Sequence, residues 1–147
     1  MEYEQLKLKN QLCFPVYAAS RLIIREYQPF LDKLGITYPQ YLALMILWET
    51  DEITVNEIAK KLILNTNTVT PLLKRMESID IITRERSSSD ERKVVIRLTE
   101  KGKEMREAAA VIPQQLVEKI NQNSLDINRL IELKDSLSIL IDALNKE

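Results

Sequence analysis

One thiol and one band of hydroxyl, amide and cationic side chains are the groups in this chain with the most chemistry to offer. Cys13 is the single cysteine, and there is no histidine. A thiolate attacks peroxides and disulfides whereas a neutral thiol does not, so a reactive Cys13 needs solvent access and surroundings that favour charge. The band comprises Thr66, Asn67, Thr68, Thr70, Lys74 and Arg75, followed by Arg86, Asp90 and Arg92. Threonine and asparagine side chains can bond base edges or phosphates, while lysine and arginine suit phosphates.

Other chemistries lack their parts. Without histidine, and with one cysteine, zinc and other transition-metal sites lose their usual ligands, and hydrolase triads lose their base. The two glycines, Gly35 and Gly102, stand alone, which excludes a phosphate-cradling loop or a dinucleotide fingerprint. No cofactor is expected. Carboxylates such as Glu77, Glu85 and Glu91 are scattered as solvated faces and ion-pair partners are. A net charge of −1 and a pI near 5.7 argue against general nucleic-acid affinity. The distribution says more: from Lys74 to Lys103 nine basic residues face six acids, a local balance of +3.

The elements that would hold these groups are mostly helical. At 147 residues the chain suits one continuous domain, long enough to bury about 70% of its unfolded surface. Leu12, Val16, Ala19, Ile23, Tyr27, Phe30 and Leu34 recur at three and four, one apolar stripe of a helix ended by Gly35. Thr37 caps a second helix with Pro39 in its first turn and an apolar body from Tyr41 to Trp48. That apolar run is too short to cross a bilayer. The opening MEYEQLKLKN has no secretory h-region, so the cytoplasm is the expected location. Thr54 and Glu57 fit a capping box for a short helix burying Ile58, Ala59 and Leu62. Asn65 or Thr66 caps the next, with Val69, Leu72, Leu73 and Met76 inward; Pro71 is tolerated only near its first turn or two.

Residues 81–86 and 93–99 are β-branched and partly alternating, hence two strands around a polar, arginine-tipped turn. Thr99 caps a further helix running to about Ile112, where Pro113 interrupts it. Ser124 caps a last helix carrying Leu130, Leu133, Leu137, Leu140 and Leu144. The expected architecture is mostly α with a small β-hairpin, a winged helix-turn-helix spanning 37–99. Helical dimerisation regions at 1–36 and 100–147 flank it, because so small a sheet cannot cover their apolar stripes. A homodimer would set two recognition helices about 34–36 Å apart, one DNA turn, to read a pseudo-palindrome in double-stranded DNA. The acids Asp126, Glu132, Asp135 and Asp142 argue against the last helix lying on an anionic membrane.

The runs ITYPQYLALMILW, TVTPLLKRME and ITRERSSSDERKVVIRLTEKG resemble the MarR family of winged-helix regulators over nearly the whole chain. The Asp90-x-Arg92 pair is the most specific mark, and NQLCF around Cys13 is similar to the thiol-based, organic-hydroperoxide-sensing branch. The resemblance implies a transcription regulator, commonly a repressor. A recognition helix of about 65–78 would enter the major groove, with Arg92 in the minor groove and Asp90 orienting it. That branch has Asp-Ser-Gly-Thr where this chain has Asn65-Thr66-Asn67-Thr68, so the operator sequence does not carry over. Tyr27 and Tyr38 match the pair that bonds the reactive cysteine across the dimer interface; Tyr17 lies one turn from Cys13.

If Asn10 caps the first helix, Cys13 lies about three residues in, near the positive end of the dipole, and Pro15 bends that turn. Leu12, Phe14 and Val16 would line an apolar approach suited to organic hydroperoxides. With a single cysteine, oxidation proceeds through a sulfenic acid, then to a cap by a low-molecular-weight thiol, a sulfenamide or further oxidation. Three functions stay open: a redox-responsive DNA-binding regulator, a regulator released by a small amphipathic ligand in the dimer cleft, and a thiol peroxidase. An inert, buried Cys13 is the plain alternative to its redox role, and core packing is that of Tyr27.

Overall fold

Helix boundaries follow the caps. The structure is a computed structural model and describes residues 3–121 and 126–146. Two short 3-10 turns, Glu4–Leu6 and Leu8–Asn10, precede α1 (Cys13–Leu34), which ends at Gly35 in the left-handed conformation with φ 68°. Thr37 is the N-cap of α2 (Tyr38–Glu49), and its N–H donates to Gln40 Oε1 at 2.8 Å. Thr54 caps α3 (Val55–Leu62) through a reciprocal box with Glu57, whose Oε2 accepts from the Thr54 N–H at 2.7 Å. Asn65 is the N-cap of α4 (Thr66–Ser78).

The start of α1 differs from the sequence expectation. Asn10 closes a 3-10 turn, and its Nδ2 donates to the Glu4 carbonyl at 2.7 Å, so it caps no helix. Leu12 is the N-cap and Cys13 the first helical residue. Pro15 is therefore third, where an N–H has no partner within the helix, and it removes no helical bond. Pro29 stands further along the same helix.

A two-residue strand that the sequence did not disclose, β1 (Ile53–Thr54), joins β2 (Ile82–Arg86) and β3 (Val94–Leu98). The sheet is antiparallel in the order β1-β3-β2, with Ile53 opposite Ile96 and Arg84 opposite Ile96 on the other side. Asp51 anchors it from outside, its Oδ1 accepting from the Leu98 N–H at 2.9 Å. Beneath lies the core: Leu31, Ile36, Leu44, Leu47, Ile58, Val69, Leu73, Met76, Ile82 and Ile96 are all buried.

The α5 helix (Glu100–Ala110) is bolted to this core through Gly102. Trp48 Nε1 donates to the Gly102 carbonyl at 2.9 Å, and the Gly102 N–H donates to Thr99 Oγ1 at 3.1 Å. A Cβ on Gly102 would stand 2.1 Å from the Ile81 carbonyl oxygen. That contact is with backbone, so it cannot be relieved by turning a side chain.

The chain divides into two compact units, the second beginning at Val111. Within the first, α1 buries only Leu31, and Leu12, Val16 and Ile23 of its stripe are exposed. The second holds α6 (Ile112–Asn121), with Pro113 in its first turn, and α7 (Ile127–Leu144), none of whose residues is buried. Asp126 caps α7 by accepting from the Asn128 N–H at 2.9 Å. Ser124, the cap expected from sequence, lies outside the described residues.

Gly102→Ala is expected to lower stability by about 1–3 kcal/mol, the range of overpacked sites. Urea unfolding checks this; an unchanged midpoint would contradict the close approach.

Candidate functional site

Of the polar band, Thr66 and Thr70 of α4 and Arg92 of the β2–β3 turn are brought together around one cavity. Val69, Leu72, Leu73 and Met76 fix the buried side of α4, which leaves Thr66, Asn67, Thr68, Lys74 and Arg75 exposed and Thr70 half-buried. Pro71 has no N–H to offer the Asn67 carbonyl, so an acceptor is freed within the exposed first turns. The turn before α4 is made by Ile63, held at φ 55° with its N–H donating to the Lys60 carbonyl at 3.1 Å. A β-branched residue in that conformation costs about 1–2 kcal/mol, so the sharp entry of α4 is imposed by its core contacts.

The wing tip is organised by Asp90. Its Oδ1 accepts from both the Arg92 N–H, at 3.1 Å, and Arg92 Nε, at 3.2 Å. The Arg92 side chain is 92% exposed, so the pair aims a guanidinium into solvent rather than burying it. Arg86 lies exposed at the end of β2. The Asp90–Arg92 pairing expected from the resemblance is thus present as a local hydrogen-bonded turn.

Sequence reasoning gave no role to Asn56, Arg84 or Lys93, yet these border the same face. They line a cavity of about 210 Å³ between the start of α3, α4 and the wing. Glu57 is held below the usual carboxylate range, first by its hydrogen bonds with Thr54, with Lys93 and Lys61 nearby adding to this. The alternation Ile82, Arg84, Arg86 on β2 was the available signal, since residues two apart share a face.

The thiol lies elsewhere. Cys13 is exposed, so it is not a core residue of the single chain. Leu12, Phe14 and Val16 around it are exposed as well. One turn on, Tyr17 is exposed, with the Arg21 guanidinium 5.4 Å from its ring centroid.

Tyr27 and Tyr38 are brought together, but not with Cys13. Their ring centroids are 5.0 Å apart, and Tyr41 lies 5.9 Å from Tyr27 and 6.3 Å from Trp48. Burial, with Tyr38 and Tyr41 adding, pushes the Tyr27 phenol up to about 12; burial also raises Tyr38. All three tyrosines of the cluster are therefore neutral donors at physiological pH. Cys13 and Tyr27 share α1, and at 1.5 Å rise per residue their separation along its axis is about 21 Å. Within one chain they do not touch.

Comparison with known proteins gives this arrangement its context. The family model described as the transcriptional regulator SarA/Rot matches residues 25–109. The organic hydroperoxide resistance transcriptional regulator of Bacillus subtilis (strain 168) is 45% identical over 146 residues, 99% of this chain and 97% of that protein. This chain belongs to the MarR family of redox-sensing transcription regulators. A second MarR-type relative is the regulator MgrA of Staphylococcus aureus, 47% identical over 104 residues, 70% of this chain and 71% of MgrA. Among solved structures, reduced AbfR bound to DNA is 40% identical with a TM-score of 0.73, covering 94% of this chain and 98% of that one. AbfR, from Staphylococcus epidermidis, is also known in a disulfide form, 39% identical with a TM-score of 0.67 and 95% coverage of both chains.

The tyrosine cluster yields a titration. A Tyr27 phenol raised in the folded state contributes stability that is complete below the unfolded value near 10 and is lost as pH rises through about 12. The phenolate absorbance lost in Tyr27→Phe should therefore have its midpoint near 12; a midpoint near 10 would contradict the burial.

Proposed function

We propose that this chain acts as a homodimer that binds a pseudo-palindromic DNA operator and releases it when Cys13 is oxidised, most simply as a repressor. The observation that carries the reading is an exposed thiol on the first residue of a helix with an uncovered apolar stripe, in a chain whose α4 leaves polar and basic side chains exposed and whose Asp90 aims Arg92 into solvent. Thr66, Asn67, Thr68 and Thr70 reach base edges or phosphates in the major groove. Lys74, Arg75 and Arg86 bind phosphates, and Arg92, aimed by Asp90, enters the minor groove, where negative potential favours it. Similarity to AbfR, solved reduced on DNA and also as a disulfide, supports both halves of the reading.

The length of α1 supports the dimer. If the Tyr27 and Tyr38 phenols hold a Cys13 thiolate, they belong to a second copy whose α1 and terminal helices cover this one's exposed stripe. The thiolate attacks the terminal peroxide oxygen of an organic hydroperoxide; the O–O bond breaks, the sulfur becomes a sulfenic acid, and the alkoxide leaves as an alcohol after taking a proton from water. A low-molecular-weight thiol then condenses with it, forming a mixed disulfide and water. Shifting a binding-competent population from 99:1 to 1:99 takes about 5.5 kcal/mol. A bulky adduct wedged between two copies supplies that more readily than one added oxygen. Cys13 is consumed in this scheme rather than turning over, which fits relatives that are regulators.

A gel-shift series tests it on an operator selected from random duplexes by the reduced protein. Cumene hydroperoxide with a small thiol should release wild type and leave Cys13→Ser bound. Equal release of both would sink the redox reading in favour of a cleft ligand, and catalytic loss of peroxide would point to an enzyme. Separately, Arg92→Ala should weaken binding and lower the salt-dependence slope by about one; unchanged affinity would remove the wing from the interface.

A further inference from the structure

We infer that the cavity between α3, α4 and the wing seats one backbone phosphodiester of the bound duplex, held by Arg84 and Lys93 beside the amide of Asn56. The inference rests on the DNA-binding reading and deepens it. A sugar–phosphate strand is the ridge that separates the major groove from the minor. A protein that places α4 in one groove and Arg92 in the next must let that ridge pass between them, and the cavity occupies that gap.

Its lining has the chemistry for the task. Among the residues bordering it are three cations, Arg84, Arg92 and Lys93, and the hydroxyls of Thr66 and Thr70, and none is acidic; the third threonine, Thr54, gives its hydroxyl to Glu57. A phosphodiester carries one negative charge and only accepts hydrogen bonds, which matches a wall of donors. At about 210 Å³ the space far exceeds one water, whose share of liquid volume is about 30 Å³. Arg84 is the inner donor, its side chain 20% exposed. Its Nε lies 3.2 Å from Glu77 Oε2 yet is buried without a hydrogen bond. Glu77 thus fixes the guanidinium by charge at Nε, and an oxyanion would be met by its terminal N–H groups. Lys93, where the wing turn closes before β3, brings the second charge, and Asn56, the second residue of α3, borders the same space.

Such a contact carries no sequence information, so it is tested on a labelled duplex of mixed sequence over a range of KCl concentrations. Lys93→Gln should weaken binding and lower the salt slope by about one. Asn56→Asp separates binding from folding: an acid at the start of a helix is stabilising, so its thermal midpoint should hold or rise. A like charge a few ångströms from the phosphate should nonetheless weaken binding about tenfold. Arg92→Ala is the control for the parent reading. If wild type binds and Arg92→Ala weakens it, while Lys93→Gln and Asn56→Asp bind as wild type does, the phosphate seat is overturned and DNA binding stands. If wild type does not bind DNA at all, both fall.

Discussion

An uninterrupted helix of 22 residues sets the terms for everything this chain can do with its thiol. It begins at Cys13 and carries Tyr27 near its other end, so the thiol and the tyrosine cluster are kept apart by the same element. Gly35 then turns the chain into α2, which brings Tyr38 and Tyr41 against Tyr27. A helix cannot fold back on itself, and any meeting of Cys13 with that cluster has to come from a second chain.

The uncovered apolar stripe belongs to the same logic. Exposed Leu12, Val16 and Ile23 are costly to leave in water, and burying each fully is worth about 1.5–3 kcal/mol. A second copy lying along α1 would recover that energy while completing the thiol site. Chemistry at Cys13 would then act on the contact that sets the spacing of two α4 helices, instead of acting on α4 directly. Within one chain, Tyr41 lies against Trp48, which donates to the Gly102 carbonyl in α5, and so the tyrosine cluster is tied to the base of the wing.

How much of this was legible in the sequence follows the range of the interactions. The caps at Thr37 and Thr54, a cap at Asn65 or Thr66, the stop at Gly35 and the buried face of α4 depend on neighbours within a few residues, and the sequence displays them; the Asp90–Arg92 pairing came from the family resemblance. The cap at Asn10 failed because the residues before it curl into 3-10 turns that occupy its side chain. The strand β1, the Asp51–Leu98 bond, the Trp48–Gly102 bond and the grouping of Asn56 with Arg84 and Lys93 all join distant segments. Apart from the alternation along β2, which bears on Arg84 alone, no local pattern marks them. The site shows the same division, since the exposed residues of α4 were readable and the cavity beside them was not.

The central claim is that Cys13 works across the boundary between two chains, against Tyr27 and Tyr38 of its partner. A Tyr38→Cys variant tests this directly. Mild oxidation of a mixture of isotopically light and heavy chains, followed by mass spectrometry of the disulfide-linked peptides, would show which chains are joined. Bonds from Cys13 of one chain to position 38 of another are the predicted result; an intrachain bond, or no bond at position 38, would contradict it.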